Sequence, residues 1–188
     1  MAVSIKPLSA KIGAEASGAD FSHPVPPADL ANIKQGLLQH LVIVIRNQSL
    51  NPKQLLAAVR LFGETMEQHL TDTLMRKHPE IAVLDSSKMP PDKQNRVIPF
   101  GARTWHTDHT NHERPPKYTA LYAVNLPTFG GDTSFANMHS AYASLPKGEQ
   151  SYLRQLQTVN KIEDFGYISE EAQIKFGSLP IHLSLIHI

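Results

Sequence analysis

Residues 105–116 read WHTDHTNHERPP, and this stretch carries three histidines and two acidic residues within twelve positions. It opens with Trp105, the only tryptophan of the chain. His106 and Asp108 are two positions apart, and residues two apart point to the same side of a β-strand. The two prolines that close the stretch disfavour a helix. We therefore predict an extended segment whose imidazole and carboxylate converge on one point.

An imidazole and a carboxylate on one open face are two of the three ligands of the 2-His-1-carboxylate triad. That triad holds Fe(II) and leaves positions for a cosubstrate and O₂. The alternative is a polar surface pair, because H-x-D patterns arise often by chance. His109 would face the other side of a regular strand, either toward solvent or beside the ligands. His112 lies past a bend, either near the pocket or as a simple loop histidine. A metallo-β-lactamase-type zinc site is disfavoured, because its first histidine would fall at Thr104.

The composition is that of an ordinary soluble globular protein of one domain or most of one. The 188 residues are 41% hydrophobic and 19% charged, with 18 basic and 17 acidic residues and a net charge of +1. This balance argues against nucleic acid or a membrane surface as a partner. The absence of cysteine excludes disulfides and thiolate sites. No apolar run suggests a signal peptide or a membrane span, so we expect a cytoplasmic protein.

Helices are predicted early and late in the chain, with strands between them. The first helix runs from Pro27 to about His40, and the second follows an N-cap at Asn51 and stops near Gly63. Two short helices are predicted on either side of Pro146. Residues 13–27 are read as turns. Strands are predicted at 3–8, 41–45, 80–85, 118–126 and within 130–137. The long loops favour a mainly β fold with flanking helices over a doubly wound sheet.

The order of these features resembles the taurine dioxygenase (TauD/TfdA) family of Fe(II)- and 2-oxoglutarate-dependent dioxygenases. The resemblance is carried by WHTD, PP, an apolar strand and then LPTFGGDTSFANMHSAYASLP at residues 126–146. GAEASGADFS and LLQHLVIVIRNQSLNPKQLLAAVRLFGE fit it as well, so that it covers residue 3 to about residue 182. It implies a double-stranded β-helix, or jelly roll, which would be incomplete in this chain.

The resemblance also implies roles for individual residues. His106 and Asp108 correspond to the first two iron ligands. Thr133 of GGDT corresponds to a residue whose hydroxyl helps to hold a 2-oxoglutarate carboxylate. His69 lies, on a looser alignment, near a substrate-contacting histidine of the relatives, with a simple loop histidine as the alternative. Trp105 is expected to pack beneath the site.

The implied reaction is hydroxylation of a small anionic organic acid of the sulfonate, sulfate ester or aryloxy type. Fe(II), 2-oxoglutarate and O₂ would take part, with release of succinate and CO₂. The specific substrate and the oligomeric state stay open, and a homo-oligomer of the full-length parent is compatible with this interpretation. A non-catalytic jelly-roll binding module is the alternative, and a metallohydrolase is a distant third.

The family pattern also needs a distal histidine and an arginine that pairs with 2-oxoglutarate, and both are expected beyond this chain. His182 and His187 do not stand in the expected context. The last six residues, LSLIHI, match a translation of a transposase end sequence used in sequencing libraries. We interpret residues 1–182 as a dioxygenase domain truncated before its C-terminal part, and residues 183–188 as adapter translation. A genuine apolar strand is the alternative, and the chain alone is expected to be inactive.

Overall fold

The computed structural model describes residues 2–66, 73–88, 105–160 and the backbone of 182–185. The chain divides into two compact units. The first unit comprises the described residues 2–64 and 132–156, and the second comprises the remaining described residues. The longest described helix has 14 residues. Within these segments, no helix has the length and apolar character needed to cross a membrane.

A three-stranded sheet forms the base of the first unit. Its strands are β1 (Ser4–Pro7), β2 (Ala14–Ser17) and β3 (Ile43–Ile45), in the order β1-β2-β3. β1 and β2 are antiparallel, whereas β2 and β3 are parallel. A parallel pair needs a crossover connection, and the helix α1 (Pro27–His40) supplies it.

The prediction of turns over residues 13–27 is wrong at β2. The side chains of Ala14 and Ala16 are buried, and they alternate with Glu15 and Ser17, which are more exposed. This is the period of two that a half-buried strand requires. Alanine has low strand propensity, and pairing with β1 and β3 on both sides overrides it here.

The predicted bounds of α1 are confirmed. Pro27 occupies the first helical position, where its missing N–H costs nothing. Gly36 of α1 faces the sheet, and a Cβ added there would lie 3.2 Å from Cγ2 of Ile5. Because that distance is shorter than ordinary side-chain contact, a glycine lets the helix lie close to the strands. The core of the unit is a cluster of buried residues, namely Val3, Ala16, Phe21, Ile33 and Ala58.

The second helix, α2 (Pro52–Arg60), begins where the sequence predicts. The Asn51 side chain accepts a hydrogen bond of 3.0 Å from the Gln54 N–H, and the Gln54 side chain accepts one of 2.9 Å from the Asn51 N–H. This reciprocal capping box satisfies two N–H groups that a helix N-terminus leaves without partners. Apolar residues on one face then join the core, as Leu56 and Ala58 are buried.

Replacing Asn51 with alanine is expected to destabilise the first unit by about 1 kcal/mol, because alanine cannot accept the Gln54 N–H. Asn51→Ser is the matched control, since serine also caps a helix, and it should cost much less. Urea unfolding followed by circular dichroism measures both changes. Equal stability of the alanine variant and the wild type would contradict a contribution from the capping box.

Two short helices complete the first unit, α3 (Met138–Ser144) and α4 (Lys147–Leu153), with Pro146 between them as predicted. Asn137 caps α3 by accepting from the Ser140 N–H at 2.9 Å. Its amide also donates to the Lys11 carbonyl at 2.6 Å, which anchors the start of α3 to the β1–β2 connection.

The second unit contains two small antiparallel sheets. β4 (Leu74–Met75) pairs with β5 (His78–Ala82), and β6 (Gln157–Asn160) pairs with β7 (His182–Leu185). β5 overlaps the strand predicted at 80–85 but starts and ends earlier. A short apolar segment can pair with a strand whether a gene or an adapter encodes it. The pairing of β7 therefore does not test the adapter interpretation of residues 183–188, which stays a prediction.

The strands predicted at 118–126 and within 130–137 are wrong for the described structure. Neither segment forms a strand or joins a sheet of the described residues, and Val124 is 87% exposed. Strand propensity reflects packing against neighbours and therefore fails where no partner strand is present. The described residues thus combine helices with small sheets, and the jelly roll itself stays a prediction.

Candidate metal centre

The residues that carry the candidate site lie in a turn of the second unit. The chain has no regular structure at 105–107 and turns from Asp108 onward. His109 has a φ of 54°, and the His112 N–H donates to the His109 carbonyl at 3.0 Å. The predicted strand through His106 and Asp108 therefore does not form in the described structure. Histidine is among the residues that tolerate the left-handed conformation, which explains how the turn forms without a glycine.

His106 and Asp108 lie next to each other where the chain enters this turn. Nε2 of His106 is 3.2 Å from Oδ1 of Asp108, and the two side chains are 52% and 40% exposed. Adjacent ligands about 2.1 Å from an octahedral metal ion lie roughly 3 Å apart. The two donor atoms therefore have the separation that two neighbouring ligands of one ion need, and they are open to solvent.

Asp108 has a second partner that the sequence analysis missed. The Thr119 hydroxyl donates a hydrogen bond of 2.9 Å to Oδ2 of Asp108. The two residues are eleven positions apart, and no local spacing rule connects them. The only available signal was a hydroxyl residue at the start of the apolar segment that follows the prolines.

The turn that follows the pair buries polar side chains. Burial lowers the pKa of His109 below its usual value of 6.5, although the Asp108 carboxylate opposes this shift and His112 adds to it. The rings of His109 and His112 meet edge-on, with centroids 6.0 Å apart. Asn111 is only 2% exposed, and its Nδ2 has no hydrogen-bond partner among the residues that the structure describes. Sequence reasoning left Asn111 unremarked and placed His109 on the far side of a regular strand, which does not form here.

The other predicted site residues are not brought to this pair within the second unit. Thr133 is an exposed residue of the first unit, in a segment without regular structure that leads to α3. His69 lies outside the described residues. Trp105 is 73% exposed, so the prediction that it packs beneath the site is wrong for the described structure.

The glycine pair before Thr133 adopts a backbone conformation that favours glycine. Gly130 and Gly131 have φ angles of 75° and 76°, which glycine adopts without strain. A Cβ at Gly131 would also lie 3.2 Å from Cγ of Pro127. Both the left-handed backbone and this close approach favour glycine here.

The described residues do not supply a complete metal site. They contain no group of three or more histidine, cysteine, aspartate or glutamate side chains arranged to hold an ion. The chemistry of the pair nevertheless fits iron, because imidazole and carboxylate are two members of the facial triad. The described residues thus bring the two predicted ligands, His106 and Asp108, next to each other. They do not supply a third ligand beside them.

Comparison with known proteins gives a family match over most of the chain. The sequence model of the family described as "Taurine catabolism dioxygenase TauD, TfdA family" matches residues 4–180. Pentalenolactone F synthase of Streptomyces avermitilis is 34% identical over 170 residues, which are 86% of this chain and 54% of that protein. The α-ketoglutarate-dependent sulfate ester dioxygenase of Pseudomonas putida is 30% identical over 179 residues, 95% of this chain and 56% of that protein.

A solved structure agrees with the sequence match. The crystal structure of a taurine dioxygenase from Burkholderia xenovorans superimposes with a TM-score of 0.67 at 29% identity, covering 87% of this chain and 55% of that one. The chain spans about half the length of the relatives that it matches.

Proposed function

Because this chain belongs to the TauD/TfdA family of 2-oxoglutarate-dependent dioxygenases, we propose that it serves the hydroxylation of a small anionic organic acid, with conversion of 2-oxoglutarate to succinate and CO₂. Membership implies Fe(II), 2-oxoglutarate (α-ketoglutarate) and O₂ as the reaction partners. The observation that carries the proposal is the separation of 3.2 Å between Nε2 of His106 and Oδ1 of Asp108.

In this proposal His106 and Asp108 hold the metal through these two atoms. The iron, when bound, supplies the activation of O₂. Both side chains are half exposed, so a cosubstrate has access to the face that they share. Thr133 is proposed to donate its neutral hydroxyl to a carboxylate of 2-oxoglutarate. The third ligand and the arginine that pairs with the cosubstrate are proposed to be residues that the structure does not describe.

The substrate is proposed to be a sulfonate, a sulfate ester or an aryloxy acid. The family description names taurine, which is a sulfonate, and the Pseudomonas putida relative is named for sulfate esters. Pentalenolactone F synthase is named for a different kind of compound, so the substrate has to be found by screening. A net charge of +1 offers little general attraction for nucleic acid or membranes. We propose that the protein is cytoplasmic and that its fold is the family jelly roll.

The test is succinate formation from 2-oxoglutarate, measured with Fe(II), O₂ and a panel of an alkyl sulfonate, an alkyl sulfate and an aryloxyacetate. The active protein should release succinate in proportion to one of these compounds, well above the rate without substrate. Oxidation of that compound should match the succinate released. Hydrolysis of a substrate without O₂ and 2-oxoglutarate would contradict the proposal and favour a metallohydrolase.

A non-catalytic binding module is the second candidate. It is favoured by one observation, namely that the described residues lack a three-ligand metal group. The two candidates differ in a direct way, because a binding module retains a small anion without releasing succinate.

The 188-residue chain expressed by itself is expected to show weak metal and cosubstrate binding and no turnover. Two protein ligands hold an ion less firmly than three, and the paired arginine is not assigned in this chain. Isothermal titration with Mn²⁺ and 2-oxoglutarate measures this directly. Tight stoichiometric binding of both would contradict the expectation and would show that the missing groups are present in the chain.

A further inference from the structure

We propose that Thr119 is a positioning residue that keeps Asp108 a ligand through one oxygen only. The inference rests on the proposed function, because it concerns how Asp108 meets a metal ion. It starts from the hydrogen bond of 2.9 Å that the Thr119 hydroxyl donates to Oδ2 of Asp108.

The two oxygens of the Asp108 carboxylate have different neighbours. Oδ1 lies 3.2 Å from Nε2 of His106, and Oδ2 accepts from the Thr119 hydroxyl. Because Oδ2 accepts this hydrogen bond, one of its lone pairs is occupied and the carboxylate group is held in one orientation. The rotation of the carboxylate is thereby set, so that Oδ1 is the oxygen directed to the side of the imidazole.

The number of oxygens that Asp108 offers decides how many positions stay open on the metal. An octahedral ion held by two imidazoles and one carboxylate oxygen has three positions left. The cosubstrate needs two of them and O₂ needs the third. If both oxygens of Asp108 were bound, one of these three positions would be lost. The Thr119 hydroxyl opposes that arrangement because it holds the carboxylate in the orientation in which Oδ1 alone is directed to the side of the imidazole.

Thr119 is well suited to hold this hydrogen bond. Its side chain is β-branched, so few rotamers are available to the hydroxyl. Pro115 and Pro116 lie between Thr119 and Asp108 and fix two backbone φ angles in the connecting loop. The loop therefore loses less conformational freedom when the hydrogen bond forms. Thr119 is exposed, so its substitution should leave the packing of the unit intact.

The experiment is a titration of the 188-residue chain with Mn²⁺, in which electron paramagnetic resonance measures the free ion. Thr119→Val removes the hydroxyl and keeps the shape, and it should raise the apparent Kd about 10-fold, at the lower end of the effect of outer-shell partners. Thr119→Ser restores a hydroxyl and should bring the Kd to within about 3-fold of the wild type. Thr128→Val is the matched control, because Thr128 is an exposed threonine of the same unit, and it should not change the Kd.

His106→Ala separates failure of this inference from failure of the proposed function. If His106→Ala leaves the Kd unchanged, the metal site is refuted and the role of Thr119 falls with it. If His106→Ala weakens binding but Thr119→Val does not, the metal site stands and the role of Thr119 is refuted. Equal weakening by Thr119→Val and Thr119→Ser would also refute it, because the hydroxyl would then not be the active group. Unchanged thermal unfolding of the valine variant shows that a change in Kd does not come from loss of folding.

Discussion

Replacing His106 with alanine is expected to abolish 2-oxoglutarate turnover in the active protein, the one that releases succinate in the test above, and to weaken metal binding by at least about 100-fold. Loss of an outer-shell partner already costs about 10- to 100-fold in metal affinity, so loss of a ligand should cost at least the upper end of that range. The remaining donor of the pair, Oδ1 of Asp108, would then hold the ion without the imidazole that lies 3.2 Å away. Succinate release and metal titration measure the two effects separately.

His112→Ala is the matched control for this prediction. His112 belongs to the same turn, and its ring meets that of His109 edge-on, with centroids 6.0 Å apart. It should retain metal binding and turnover close to the wild-type values. Equal losses in the His106 and His112 variants would mean that the turn as a whole is required, and would contradict the assignment of His106 as the ligand.

Replacing Ile33 with alanine is expected to destabilise the first unit by about 2–5 kcal/mol, the usual cost of truncating a large buried aliphatic side chain. Ile33 is fully buried on the face of α1 that meets the sheet, within the cluster that contains Val3 and Phe21. Truncation would leave a cavity that neither the helix nor the sheet can easily fill. Urea unfolding monitored by circular dichroism measures the change in the free energy of unfolding.

Two controls make this second prediction specific. Ile33→Val removes one methylene and should cost only about 0.5–1.5 kcal/mol. Leu38 lies on the same helix and is largely exposed. Leu38→Ala should therefore change the free energy of unfolding by about 0.5 kcal/mol or less. An Ile33→Ala variant no less stable than Ile33→Val would show that the cluster is not the core of the unit.

His106 and Asp108 show how much a short sequence pattern can predict. The H-x-D spacing singled out His106 and Asp108, and the family match over residues 4–180 supports the kind of chemistry expected there. The reasoning from strand geometry was only partly right, because the chain turns at Asp108. The two side chains meet across a turn rather than along a regular strand. The prediction that these two side chains lie close together was therefore correct, although the strand predicted to carry them does not form.

The sequence by itself determined the features whose causes are local. Pro27 at the first turn of α1 and the box of Asn51 with Gln54 mark helix starts, because capping groups act within three or four residues. Only the tertiary structure decided that Ala14–Ser17 is a strand, that residues 118–126 are not, and that Thr119 holds Asp108. Strand pairing and hydrogen bonds across a loop depend on residues remote along the chain. No short window of sequence contains both partners, so that information appears only when the chain is folded.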